Sequence, residues 1–190
     1  MVAALSIDPI PVLETDRLRL RPLELADAPA VQRLAGHPAI ADTTLNIPHP
    51  YPDGLAEQWI AGRAEVARGG SGVTWAIADR ATAELYGAIS LAITWQHVHA
   101  ELGYWLGVPY WGRGYTTEAA AAVIAYAFSA LGLNRVVARH LPRNPASGRV
   151  MQKNGMRYEG VQRQHIRKGD RFEDLVCYGV LREEWAAGHP

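Results

Sequence analysis

The chain has 190 residues, 19 acidic and 19 basic side chains, and no net charge. That length suits one domain with a sizeable core, and hydrophobic and charged fractions of 48% and 20% are ordinary for a soluble globular protein. Without a basic excess or stripe, nucleic acid is not the expected partner. A lone cysteine, Cys177, can form no internal disulfide and completes no zinc-type spacing, so the expected compartment is the reducing cytoplasm and no metal is expected. The opening MVAALSIDPIPVLETDR has no basic n-region and carries Asp8 and two prolines, which makes a poor signal peptide. No apolar run approaches the roughly 18–20 residues that span a bilayer.

In chain order, LRLRPL (18–23) alternates apolar and polar residues and reads as a strand. Residues 25–36 follow as a short helix closed by Gly36, and the proline-rich 37–54 reads mostly as loop. Residues 55–70 form an amphipathic helix ending in a glycine pair. Strands are expected at 73–79 and 84–94, joined by a turn at Arg80–Ala83, and again at 100–108. TTEAAAAVIAYAFSALG (116–132) is the strongest helix, with Gly132 as its stop. A β-branched strand (134–141) precedes a helix over 144–155, where Asn144 is a good N-cap and Pro145 takes the first helical position. Two antiparallel strands, 156–167 and 174–181, flank a turn at Lys168–Asp170. This order predicts a mixed α/β domain with a central sheet.

The stretch YWGRGYTTEA (110–119) joins a strand to the strongest helix through two glycines. A helix N-terminus leaves about four N–H groups without intrahelical partners, and its dipole adds partial positive charge. Gly112 and Gly114 keep β-carbons away and allow positive φ, and Arg113 adds a cation; together these can cradle a phosphate. A Gly-x-Gly turn alone is equally a plain geometric device. Two familiar phosphate loops are absent: there is no GxxxxGK[ST], and Thr117 stands where the third glycine of GxGxxG would be.

ELGYWLGVPYWGRGYTTEA, followed about two dozen residues later by NPASGRVMQKNGMRYEG, resembles the GCN5-related N-acetyltransferases. More narrowly it is similar to the ribosomal-protein alanine acetyltransferase branch of RimJ/RimL type, whose start the opening LETDRLRLRPLELAD also matches. The resemblance runs from about residue 13 to about residue 183, within one domain over 1–190. It implies a GNAT fold: a central mixed, mostly antiparallel sheet with flanking helices, in which strand 100–108 splays from the next strand.

The resemblance further implies acetyl-CoA as cosubstrate, with its pantetheine arm paired to the splayed strand. Leu106 and Val108 would bond the pantetheine amides through their main chain. Pro109 would end the pairing, having no N–H. The pyrophosphate would rest on the N–H groups of Arg113, Gly114, Tyr115 and Thr116, with Gly112 opening the turn. Trp111 and Thr116 depart from the wider family's Gln/Arg-x-x-Gly-x-Gly/Ala. Glu118 suits the helix dipole and is expected to face away from a phosphate. Asn144 would contact the pantetheine region, or serve simply as N-cap. The tyrosine that protonates the leaving thiolate in much of the family is Met151 here; Ser147, one turn beyond Asn144, matches the serine proposed for that role in the ribosomal-type branch. Glu159 reads as structural first.

The implied reaction is direct acetyl transfer from CoA sulfur to a primary amine, which must be neutral to attack. A main-chain N–H near Val108 would hold the oxyanion. Glu101, which shares a sheet face with Gly103 and Trp105, is the first candidate base, and His165 the second. Cys177 reads as a buried apolar residue. Loop 37–54, the 94–100 turn and the 162–174 hairpin would build the acceptor pocket, with His49, Tyr51, Trp59, Trp95 and Glu101 as contacts; Trp95, His97 and His99 cluster beside Glu101. The acceptor is a protein N-terminal amine or, alternatively, an antibiotic, polyamine or amino acid. A non-catalytic acyl-CoA-binding domain is the reading outside enzymes. Trp95 and Trp111 leave room for a homodimer interface.

Overall fold

The computed structural model describes residues 5–188; the stretch read above as a poor signal peptide begins at residues 1–4, outside the described residues. The elements are β1 (Leu13–Glu14), β2 (Leu18–Pro22), α1 (Ala28–Ala35), α2 (Pro38–Thr43), α3 (Leu55–Arg68), β3 (Gly72–Asp79), β4 (Leu85–Thr94), β5 (His99–Leu106), α4 (Tyr115–Ser129), β6 (Arg135–His140), α5 (Pro145–Lys153), β7 (Arg157–Lys168), β8 (Arg171–Leu181) and α6 (Arg182–Ala187). The strands form one sheet in the order β1-β2-β3-β4-β5-β6-β8-β7. Every neighbouring pair is antiparallel except β5–β6. Among the described residues no helix is long and apolar enough to cross a membrane.

Helices lie on both faces. α4 packs its Ala119, Val123, Ile124 and Ala127 against one face, onto Trp75, Ile77, Ile89 and Leu91. α1 and α3 cover β3 and β4 on the other, with Val31, Ala35 and Ile60 against Ala76 and Leu85. β3 is therefore buried on both faces, which its near-continuous apolar run allows.

The structure sharpens several expected boundaries. The 25–36 helix divides into a 3₁₀ turn at Leu25–Asp27 and α1. The loop over 37–54 contains α2, capped by the His37 ring accepting from the Ala39 N–H and opened by Pro38. α4 ends at Ser129, before the expected stop at Gly132. β5 ends at Leu106 because the chain turns at Gly107 into a 3₁₀ turn over Val108–Tyr110.

The feature that positions the site is a splay. β5 pairs with β6 only through His99, Ala100 and Glu101, opposite Arg135, Val136 and Val137. Its other edge stays on β4 as far as Leu106↔Gly87. A β-carbon at Gly87 would stand 2.2 Å from the Trp105 carbonyl oxygen and 2.8 Å from the Leu106 Cα. The missing side chain thus lets the end of β5 lean onto β4 and away from β6. The Gly107 N–H donates to the Tyr86 carbonyl at 2.8 Å. Antiparallel alternation then turns the Leu102 carbonyl and the main-chain groups of Tyr104 and Leu106 into the gap.

α1 is anchored where it leaves β2. Asp27 accepts two 2.7 Å hydrogen bonds from Arg21 and one of 2.9 Å from the Glu24 N–H. Burial opposes the Asp27 charge, yet these bonds outweigh it and hold the carboxyl below its ordinary value. Removing one member of a buried pair strands the other, so Asp27→Asn is expected to cost about 3 kcal/mol in denaturant unfolding at neutral pH. A depressed folded pKa contributes stability that is present above the unfolded value of about 3.9 and is lost as pH falls below it toward the folded value. Asp27→Asn should accordingly flatten the acid limb of the stability curve.

Candidate functional site

A cavity of about 970 Å³ opens at the splay and runs through the sheet, from the α4–α5 side to the side of α1 and α3. Its first end is the glycine turn. Gly112 and Gly114 adopt φ of 75° and 81°, the left-handed region that glycine enters without strain. Gly114 is the N-cap of α4, and the first intrahelical bond runs from the Glu118 N–H to the Gly114 carbonyl at 3.1 Å. The N–H groups of Tyr115, Thr116 and Thr117 therefore precede the helical ladder, and these residues line the cavity together with Gly112 and Gly114. Arg113 and Val108 are not on the wall.

Side chains from distant parts of the chain hold this turn. The Arg17 guanidinium donates to the Arg113 carbonyl at 3.1 Å and lies 4.7 Å over the Tyr115 ring. Glu118 does face away from the cavity: it accepts from Thr15 Oγ1 at 2.6 Å, the Arg17 N–H at 2.9 Å and Arg17 Nε at 2.7 Å. Burial raises its pKa, but these bonds prevail and hold it below the ordinary value. Tyr86 stacks on Tyr110 at 4.1 Å, and its hydroxyl donates to Asp79 at 2.7 Å. That bond and backbone N–H groups hold the Asp79 carboxyl down to about 2. The half-exposed Trp111 gives its indole N–H to the Leu106 carbonyl and lines the cavity.

α5 forms the adjoining wall. Ala146, Arg149, Val150 and Lys153 all face the cavity, the spacing of one helical stripe. Arg149 and Lys153 bring cations to the glycine-turn end; sequence reasoning missed them, although their four-residue spacing carried the signal. Asn144 lines the cavity and is also the N-cap: its Oδ1 accepts from the Ser147 N–H at 3.2 Å, and its Nδ2 donates to the Thr43 carbonyl at 3.2 Å. Ser147 is 9% exposed, and its Oγ lies 2.8 Å from the Tyr104 hydroxyl. Met151 is buried in the core.

The second end differs in character. Val31, Ala35, Ile40, Tyr51, Trp59 and Trp105 line it. Burial, with Glu57 adding to it, raises the Tyr51 phenol above its ordinary value. Glu101 is the only carboxylate among the described wall residues, and Arg139 grips both of its oxygens, with Nε 3.0 Å from Oε1 and Nη2 on Oε2. The pair also borders a smaller cavity of about 380 Å³, which His99 and Cys177 line as well. Burial pushes the half-buried Cys177 thiol up, against the pull of Arg139. Glu159 is paired with Arg135.

Other expected contacts do not come together. Trp95 is buried in the core, with its indole N–H donated to the Gly70 carbonyl at 2.6 Å, and the 94–100 turn is absent from the large cavity's wall. Trp95 is therefore no exposed interface residue. His49 is exposed, with its ring 3.2 Å from the Gly36 carbonyl, and lies off the wall. His165 is exposed on the β7–β8 hairpin, away from the wall. That hairpin instead clasps the C-terminal end of α2: Lys168 donates to the Ala41 and Thr44 carbonyls, and Arg143, between β6 and α5, bridges Asp42 and Glu173. Burial lowers the Lys168 pKa, and Arg143 adds to the effect. Among the described residues no group of three or more His, Cys, Asp or Glu is placed to hold a metal.

The acetyltransferase (GNAT) domain matches residues 17–157, and the chain belongs to that family. It is an acyltransferase that draws on acetyl-CoA. It is 32% identical over 173 residues to the uncharacterized N-acetyltransferase YoaA of Bacillus subtilis, covering 90% of this chain and 97% of that one. It is 27% identical over 142 residues to the [ribosomal protein uS5]-alanine N-acetyltransferase of Escherichia coli, covering 74% and 73%. The crystal structure of a GNAT-family acetyltransferase from Bacillus anthracis superposes with a TM-score of 0.81 at 25% identity, covering 91% of this chain and 99% of that one.

The core position of Trp95 has a measurable consequence. Trp95→Phe removes the donor to a buried carbonyl and is expected to cost about 1–3 kcal/mol in chemical denaturation. The affinity for acetyl-CoA, measured by calorimetry, should not change.

Proposed function

We propose that the protein transfers the acetyl group of acetyl-CoA to a primary amine carried by a weakly charged acceptor, such as a protein N-terminus. The observation that carries this reading is the unpaired edge of β5 ending beside a helix N-terminus with two left-handed glycines. In this reading the pantetheine arm adds to β5 as a strand would, using main-chain groups of Leu102, Tyr104 and Leu106. The pyrophosphate rests on the N–H groups from Gly114 to Thr117, with Arg149 and Lys153 opposite. Asn144 and Ser147 border the thioester. One domain carries out the whole reaction, in the cytoplasm where acetyl-CoA is made available.

The acceptor enters from the side of α1, α2 and α3. Its neutral amine attacks the thioester carbonyl, and the oxyanion is held by a strand N–H at Tyr104 or Leu106 rather than at Val108, which has left the strand. The C–S bond then breaks, and its electron pair goes to sulfur, at which the Ser147 hydroxyl is aimed. The proton lost by the amine passes to Glu101, directly or through one water. Arg139 fixes the Glu101 carboxylate at the floor of the cavity. His165 has no part in this reading because it lies off the wall.

Charge along the wall bears on the acceptor class. The described wall holds Arg139, Arg149 and Lys153 against one carboxylate that is already paired, a poor setting for a polycation. The apolar second end suits a single amine next to a small or apolar side chain, as at an alanine N-terminus. The Escherichia coli relative named for uS5-alanine acetylation supports the same class.

The reading is tested in two steps. Wild type should bind acetyl-CoA in calorimetry, and Gly114→Val should weaken binding at least about tenfold by placing a β-branched residue where φ is positive, with thermal melting reporting any strain separately. Unaltered binding would remove the glycine turn from the cosubstrate site. In a thiol-release assay, peptides with Ala, Ser or Met N-termini should outpace spermidine and aminoglycosides. The reverse order would assign the acceptor to the polyamine class.

A further inference from the structure

Tyr104 stands on β5 with its side chain turned toward α5, the face opposite Glu101 and Trp105. Its hydroxyl lies 2.8 Å from Ser147 Oγ and 3.1 Å from the Ser147 carbonyl oxygen. Both residues line the cavity at the splay. Burial pushes the phenol up to about 12, against the pull of its bond to Ser147, so the hydroxyl keeps its proton throughout the working range.

Each hydroxyl has one proton to give. In one arrangement Tyr104 donates to the Ser147 carbonyl and Ser147 donates back to the Tyr104 oxygen; the serine proton is then spent inside the pair. In the other, Tyr104 donates to Ser147 Oγ, and the serine proton is released to the cavity. The two differ only by rotation about two C–O bonds, with no movement of heavy atoms. Met151, one turn along α5, is a buried thioether and gives no second donor from that helix.

We propose that Tyr104 is a positioning residue for acetyl transfer: by donating to Ser147 Oγ it turns the serine hydroxyl out toward the departing CoA sulfur. The inference rests on the acetyl-transfer reading above. It adds a second hydroxyl, from the strand, behind the helix serine. As the C–S bond breaks, negative charge collects on sulfur and strengthens the Ser147 hydrogen bond. The Ser147 oxygen gains electron density in turn and is held by the Tyr104 proton. The Tyr104 hydroxyl itself touches neither substrate and acts only through Ser147.

The test is a double-mutant cycle on acetyl transfer to the best amine of the panel. Tyr104→Phe deletes one oxygen and should lower kcat about tenfold, while KM and Kd for acetyl-CoA move less than about twofold. Ser147→Ala should lower kcat by about a hundredfold. The double variant should be no slower than Ser147→Ala, because Tyr104 acts only through the serine. Losses that multiply, a Tyr104→Phe variant with unchanged kcat, or a loss carried entirely by KM would each overturn the proposal. Should Tyr104→Phe melt below the assay temperature, 3-fluorotyrosine at position 104 reads the same coupling: its effect on kcat should vanish in the Ser147→Ala background, and persistence there would overturn it. Wild-type turnover separates the two levels. Its absence with every amine would sink the acetyl-transfer reading and this proposal together, whereas turnover with multiplying losses would sink this proposal alone.

Discussion

A strand in the middle of a sheet cannot leave its edge bare without cost, and in this protein β5 does so. Its pairing with β6 stops after Glu101, although main-chain N–H and C=O groups away from water require partners. Gly87 draws the end of β5 onto β4, and Gly107 admits the close approach of Leu34, whose Cδ2 would lie 2.8 Å from a β-carbon there. The sheet therefore ends up with a slot whose walls are a hydrogen-bonding edge on one side and helix α5 on the other. The proposed site is arranged around that slot.

The arrangement separates charge along the cavity although the chain as a whole is neutral. At one end stand an uncapped helix terminus, Arg149 and Lys153, a setting for phosphate. Arg17 neutralises Glu118 so that its carboxylate does not oppose that setting. At the other end the wall is aromatic and aliphatic, and its one carboxylate is held by Arg139. In the proposed function, an anionic cosubstrate and a weakly charged acceptor enter from opposite ends and meet where Tyr104 and Ser147 touch.

What could be read from the sequence was local. The Asn144–Pro145 helix start, the Gly112–Gly114 turn and the alanine-rich α4 all carry their signals within a few residues. α2 was hidden in a proline-rich segment, although Pro38 at a first helical position was itself a signal. By sequence Trp95 groups with His97 and His99 in the turn before Glu101, whereas it continues the alternate burial of Leu91 and Ile93. The face of His165 could not be counted, because the β7–β8 register shifts between Gln162 and Ile166. The contacts that define the site join residues far apart in the chain: Arg17 with Glu118, 101 positions away; Glu101 with Arg139, 38 away; Tyr104 with Ser147, 43 away. No spacing rule reaches so far; only the fold brings them together.

If acetyl-CoA fills the bare edge of β5, amide hydrogen exchange followed by NMR reads that edge directly. On saturation with acetyl-CoA, the amides of Tyr104 and Leu106 should exchange more slowly, those of the partnered Glu101, Leu102 and Gly103 changing far less. Tight binding of acetyl-CoA with exchange at Tyr104 and Leu106 left as it was would place the cosubstrate elsewhere and contradict the account.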